Sequence, residues 1–207
     1  MGTELEQKYV VDSTRPWAVQ TQLISQLSRA GYQVTFVEET PQQDTYFDTP
    51  GEAILKGGGS LRLREKGEKR LLSVKSMLRS EGGTFLRRED ELVLNGEADP
   101  RAFLRTYLPE VDLEALMPMA VVVNLRRTYE VSRTAGGRFE LAFDDVTYQN
   151  PSTGQEYRER QVEIEARSGT QADLERVVSA LRLSELRPAS ESKYQRAVRL
   201  TTKTVEG

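Results

Sequence analysis

The chain has 207 residues, of which 37% are hydrophobic and 29% charged, and its net charge is only −3 from 29 basic and 32 acidic side chains. Near balance gives no general attraction to nucleic acid or to an acidic membrane surface. It contains no cysteine and no histidine, which excludes disulfides, thiolate metal centres and imidazole catalysis and leaves oxygen-liganded hard cations such as Mg²⁺, Mn²⁺ or Ca²⁺ as the metals it can hold.

Residues 4–11 alternate, with Glu4, Glu6 and Lys8 on one face and Leu5, Gln7, Tyr9 and Val11 on the other, which predicts a strand. Ser13 or Thr14 is placed to cap a helix with Pro16 in its first turn. Trp17, Leu23, Ile24 and Leu27 form its apolar stripe, with Trp17 expected in the core, and Gly31 ends it. Two short strands are expected at 32–39 and 44–47. Gly57–Gly59 lacks the lysine of a phosphate-binding loop and reads as a turn. Asp48 reads as a turn-former before Thr49-Pro50, and Tyr46 and Phe47 as packing residues.

Residues 61–65 and 71–75 predict a hairpin, with Arg62 and Arg64 on one face. A strand at 85–94 brings Arg87, Glu89 and Glu91 together. Asp99-Pro100 opens a helical insert ending near Leu108. A long strand at 121–131 carries Asn124, Arg126 and Thr128 on one face. A turn at 135–137 leads into a strand at 138–144 with Glu140 and Asp144 on a shared face. Arg158, Glu159 and Arg160 read as a solvated segment. A strand at 162–167 presents Glu163 and Glu165. Thr170 and Asp173 form a capping box ahead of Leu174, Val177, Val178 and Leu181. A last helix or strand covers 191–200, and Lys193 lies on it.

Six strands therefore share a charged face backed by an apolar one. A single such strand reads as the solvated side of an ordinary sheet. The set is sorted by charge type, and closure of a large antiparallel sheet removes its edges and turns the charged faces into a lumen. The expected fold is α+β: an antiparallel barrel closed on itself with helices packed outside, in one domain over 1–207. Guanidinium and carboxylate groups enclosed together are costly without a ligand. Arginine grips phosphate oxygens and carboxylates hold the divalent ion that bridges to them, so the arrangement suits a multiply charged anion such as a triphosphate. A non-catalytic polyphosphate or nucleotide sensor, or a plain scaffold sheet, are the non-enzyme alternatives.

Glu4-x-Glu6-x-Lys8 resembles the opening motif of the CYTH superfamily, the triphosphate tunnel metalloenzymes. Similar blocks follow in order: Asp44–Pro50, Leu61-Arg62-Leu63-Arg64, Ser73-Val74-Lys75, Arg87-Arg88-Glu89, Arg126 with Tyr129, Asp144, Glu163-Ile164-Glu165 and Ser192-Lys193-Tyr194. The resemblance implies a closed eight-stranded antiparallel β-barrel, a tunnel with a charged lumen, and metal-dependent triphosphate hydrolysis with Mg²⁺ or Mn²⁺, or in some members cyclisation of ATP by a class IV type adenylate cyclase. Thiamine triphosphate is another substrate it allows. It implies that Lys8, Arg62, Arg64, Lys75, Arg87, Arg126 and Lys193 hold phosphates. Glu4, Glu6, Glu89, Asp144, Glu163 and Glu165 are then the metal-side carboxylates, with Glu4, Glu6, Lys8, Arg62, Arg64 and Lys193 closest to the chemistry. One departure is Asn124, where many members carry a second basic residue, and alternation puts Arg127 outside. The expected partner is a small-molecule triphosphate, with no nucleic acid and no membrane. The setting expected is cytoplasmic, because no apolar run spans a bilayer and residues 1–11 carry no signal sequence, and the protein is expected as a monomer or homodimer.

Overall fold

A computed structural model describes residues 2–81, 84–134 and 136–202. The strands are β1 Gly2–Val11, β2 Gln33–Asp48, β3 Gly59–Lys66, β4 Lys69–Glu81, β5 Thr84–Val93, β6 Met117–Ser132, β7 Arg138–Gln149, β8 Glu156–Ser168 and β9 Leu186–Pro188. The helices are α1 Pro16–Arg29, α2 Ala53–Lys56, α3 Pro100–Tyr107, α4 Gln171–Val178 and α5 Lys193–Thr202. The strand order is β5-β4-β3-β2-β6-β7-β8-β1, and β1 also pairs with β5. That last pairing closes eight antiparallel strands into a barrel, so no long edge is left open. The short β9 continues along β1 where β5 ends, pairing Tyr9 with Pro188.

Period-two alternation gives each strand one face toward the lumen and one toward the outside. Three apolar clusters follow from this. Outside the barrel, Val19, Leu23 and Leu27 of α1 and Leu174 and Val177 of α4 pack on Val131, Phe139, Leu141, Val162 and Ile164. On another flank, Ile54 of α2 and Phe103 and Leu104 of α3 cover Leu61, Leu72 and Val74. The third cluster is inside: Tyr194 and Ala197 of α5 pack on Tyr46, Ala120, Val122, Val146 and Tyr148. The lumen-facing residues of β6 and β7 turn apolar toward one end, and α5 fills that end.

Several expectations are corrected. The strands expected at 32–39 and 44–47 are one strand, β2, with an irregularity between Phe36 and Glu38. Pro41 is tolerated within it because β3 pairs only with residues 43–47, so the missing N–H falls on an unpaired side. Trp17 is not in the core: it is 57% exposed, with the Arg127 guanidinium 4.1 Å from its ring centre. Arg15 rather than Ser13 or Thr14 occupies the helix-capping position, and the Ser13 hydroxyl accepts from the Arg15 N–H at 3.1 Å. Gly31, at φ +83°, ends α1 as expected. The last element is a helix. The capping box of Thr170 and Asp173 forms as expected. The turn expected at 135–137 lies in part outside the described residues. Gly57–Gly59 is the turn between α2 and β3, and Gly58 takes φ +75°. No helix of the described residues is long and apolar enough to cross a membrane.

Candidate active site in the barrel lumen

A charged cavity of about 380 Å³ forms the open end of the lumen. Nine cationic side chains and eight carboxylates line it. Every phosphate-binding candidate is among them: Lys8, Arg62, Arg64, Lys75, Arg87, Arg126 and Lys193. So are Glu4, Glu6, Glu89, Glu163 and Glu165. Asp144 is not. It lies beneath the lining, 2% exposed.

Strand register explains the gathering. Glu6 stands opposite Glu165, and Lys8 opposite Glu163, across β1 and β8. Arg126 stands opposite Asp144 across β6 and β7. Lys193 arrives differently, from the first turn of α5. Its Nζ donates to Asp144 at 2.8 Å and to Glu163 at 2.5 Å. Arg126 donates through Nε and Nη2 to both Asp144 oxygens at 2.8 and 2.7 Å, and Nη2 also reaches Glu163. Asn124 adds a fourth donor to Asp144 at 2.9 Å. Burial would raise the Asp144 pKa, but Arg126 and Lys193 outweigh it and hold the carboxyl at about 2. Burial is likewise overcome at Glu163, by Lys193, Lys8 and Arg126, and its pKa lies well below the ordinary value.

A second cluster lies across the lumen. Lys75 Nζ donates to Glu4 at 2.8 Å and pairs with Glu89 at 3.1 Å. Arg62 pairs with Glu89 at 3.2 Å. Against the pull of burial, Lys75 first and then Lys8 bring the Glu4 pKa down to about 2. Arg64 is held by a bidentate pair of 2.7 Å bonds to Asp44. Arg87 pairs with Glu6 at 2.9 Å.

The wall between these clusters is different. Glu165 is pushed up to about 8, by burial first, then by Glu4, with Glu140 and Glu6 adding, although Arg167 at 2.6 Å opposes the rise. Glu4, Glu6, Glu140 and Glu165 thus crowd one wall; the first three have lysine or arginine partners, while Arg167 does not offset the other carboxylates around Glu165. Clustered carboxylate oxygens are the chemistry a hard divalent ion requires. Among the described residues, no three carboxylates already converge as a ready chelate; lysine and arginine hold several of them apart. The donor set suits Mg²⁺ or Mn²⁺ once those cations are drawn to a phosphate.

The sequence reading missed several residues here. Glu140 and Arg167 line the mouth; Glu140 shares a face with Asp144 and Arg167 lies two residues beyond Glu165, so alternation alone could have found both. Lys66, one residue beyond the strand expected at 61–65, lines the mouth as well and pairs with Glu38 at 2.5 Å. Glu159 corrects the expectation of a solvated segment. Its side chain is 5% exposed and accepts from Arg196 through both oxygens at 2.5 Å and from Tyr148 at 2.8 Å. Arg158, at 79%, is solvated as expected. Asp48 is structural, as expected: it accepts from the N–H groups of Thr49, Ile54 and Leu55 and from the Tyr194 hydroxyl. Tyr46 stacks on Tyr194 at 5.1 Å. Arg127 does lie outside, paired with Glu39 and Asp145.

A model of the CYTH domain matches residues 4–198. The chain belongs to the CYTH family. Solved CYTH-like structures share its fold over nearly the full length of both chains. A Hippeastrum protein proposed as an adenylyl cyclase, with a dominant triphosphatase activity, is 16% identical over 98% of this chain and 99% of its own, with a TM-score of 0.68. A proposed adenylate cyclase from Bacillus halodurans is 21% identical over 95% and 98%, at 0.60. One from Vibrio parahaemolyticus is 16% identical over 96% and 99%, at 0.54. No curated protein matches the chain. The closure expected from the charged faces, and the eight-stranded tunnel that the resemblance implied, are the fold observed.

Proposed function

We propose that this CYTH protein is a metal-dependent triphosphatase whose first substrate is inorganic tripolyphosphate, with nucleoside triphosphates as secondary substrates. One observation carries the reading: nine cations and eight carboxylates share one cavity, so its own charge is nearly balanced. A polyanion entering alone would upset that balance. A polyanion entering with divalent ions would preserve it, because phosphates take the cations and metal takes the released carboxylates.

Glu4, Glu6 and Glu165 would hold one ion, and Asp144 with Glu163 a second. A bound Mg²⁺ or Mn²⁺ supplies charge neutralisation at phosphoryl oxygens and a more acidic coordinated water. The remaining work falls to the chain. Lys8, Arg126 and Lys193 exchange Asp144 and Glu163 for phosphoryl oxygens. Lys75 and Arg62 do the same from the opposite wall, releasing Glu4 and Glu89. Arg62 and Arg126 are fixed donors aimed into a partly dehydrated cavity, where they offset charge that grows in the transition state. With no histidine in the chain, carboxylates are the side chains left to accept a proton from attacking water.

Cyclisation of ATP requires the ribose to be placed against the α-phosphorus. Among the described residues, the aromatic rings lining the cavity are Tyr46 and Tyr194, which stack on each other at the closed end rather than standing at the mouth. That favours a small substrate. The test is a release assay on tripolyphosphate, ATP, thiamine triphosphate and pyrophosphate, with Mg²⁺, Mn²⁺ or chelator. Metal-dependent phosphate release, fastest from tripolyphosphate, is expected. Pyrophosphate with cyclic AMP from ATP identifies a cyclase, and binding without turnover identifies a sensor.

A further inference from the structure

Among the described residues, one neutral donor in the lumen has no acceptor. Gln42 lies on the lumen face of β2, lines the cavity and is 6% exposed. Its Nε2 has no hydrogen-bond partner among the described residues. Buried amide groups left in this state are uncommon and unfavourable, so such a group marks a place where an acceptor belongs.

The neighbouring position is the one where a cation is missing. Gln42 stands in register with Asn124 on β6. Asn124 donates its Nδ2 to Asp144 at 2.9 Å and its Oδ1 is also unpartnered, so the two amides do not satisfy each other. Arg126 is already engaged by Asp144, and Arg127, the next cation in sequence, faces outward against Trp17. At this level, the β2–β6 wall therefore offers a neutral donor where a charge was expected.

We propose that Gln42 is a substrate-binding residue, donating its side-chain N–H to a phosphoryl oxygen of the bound polyphosphate. This rests on the triphosphate reading above and adds the residue that replaces a cation at Asn124. A neutral donor suits a nearly balanced cavity, because it binds an anion without first being released from a carboxylate.

The test compares the wild type with Gln42→Met, similar in length but unable to donate, and Gln42→Glu, which presents an acceptor instead. KM and kcat for tripolyphosphate are measured at saturating Mg²⁺, with melting curves to confirm folding. The Gln42 side-chain amide is also followed by ¹H–¹⁵N correlation during titration with tripolyphosphate. The expected result is a KM raised roughly tenfold in Gln42→Met, the worth of one hydrogen bond to a charged acceptor, and further in Gln42→Glu, with kcat little changed. The Gln42 amide resonance shifts on ligand addition. If either variant fails to fold, the wild-type titration decides alone. An unchanged KM in folded Gln42→Met, or a Gln42 resonance that stays still while other lumen amides move, overturns the proposal and leaves the triphosphate reading standing. A wild type that neither binds nor turns over tripolyphosphate removes that reading, and this one with it.

Discussion

Replacing Glu165 by glutamine tests the crowded carboxylate wall directly. Glu165 is 18% exposed at its side chain and its pKa rises from 4.5 to about 8, through burial and then Glu4, Glu140 and Glu6. At about 1.4 kcal/mol per pH unit, that rise corresponds to about 5 kcal/mol. The folded value lies above the unfolded one, so the contribution to stability is fully present below pH 4.5 and is lost as pH climbs toward 8. Solvent near the half-exposed Arg167 softens the figure, and about 3 kcal/mol is a fair lower expectation. Glutamine is neutral throughout and has no such slope. In urea melts with chelator, Glu165→Gln and wild type should match in shape near pH 4.5 and diverge steadily, the variant being the more stable by about 3–5 kcal/mol at pH 8.5. Mg²⁺ should remove much of the wild type's deficit and stabilise the variant much less, because only the carboxylate gains a ligand. Parallel stability curves from pH 4.5 to 8.5 would refute the crowding argument and, with it, this wall as a metal site.

Other variants separate chemistry from scaffold. Lys193→Met leaves Asp144 and Glu163 short of a buried cation, and should cost about 3–5 kcal/mol in a denaturant melt and abolish measurable tripolyphosphate turnover. Arg196→Met opens the bidentate contact with Glu159; it should lower stability by about 2–4 kcal/mol and raise KM by letting α5, and so Lys193, shift, whereas an unchanged KM would show that α5 is held without it. Tyr194→Phe removes one hydrogen bond to Asp48 and should cost about 1 kcal/mol in Tm-derived stability, with activity largely kept. Asp144 and Glu4 sit at about 2 in the folded protein. Their stabilisation is present above their unfolded values near 4 and disappears as pH falls from about 4 to 2, so acid unfolding should steepen in that interval, as followed by circular dichroism.

The alternation of Glu4, Glu6 and Lys8, of Arg62 and Arg64, and of Glu163 and Glu165 was enough to predict a charged lumen, since spacing of two fixes which side chains share a face of any strand. Caps and breakers were equally local, and Pro100, Gly31 and the Thr170–Asp173 box were legible for that reason. Glu159 was misread because nothing local distinguishes a carboxylate beside solvent from one beneath a helix that arrives 37 residues later at Arg196. Trp17 was misread because a helical stripe shows which residues share a face, not how far the barrel beneath them extends. Gln42 carried no signal, since a lone amide in a strand becomes a donor of consequence only when the barrel surrounds it and leaves it unpaired. The sequence determined which side chains could face one another; closure by β1 against β5, and entry of α5 at one end, decided which of them meet, because pairing and burial depend on residues that only the assembled barrel brings within reach.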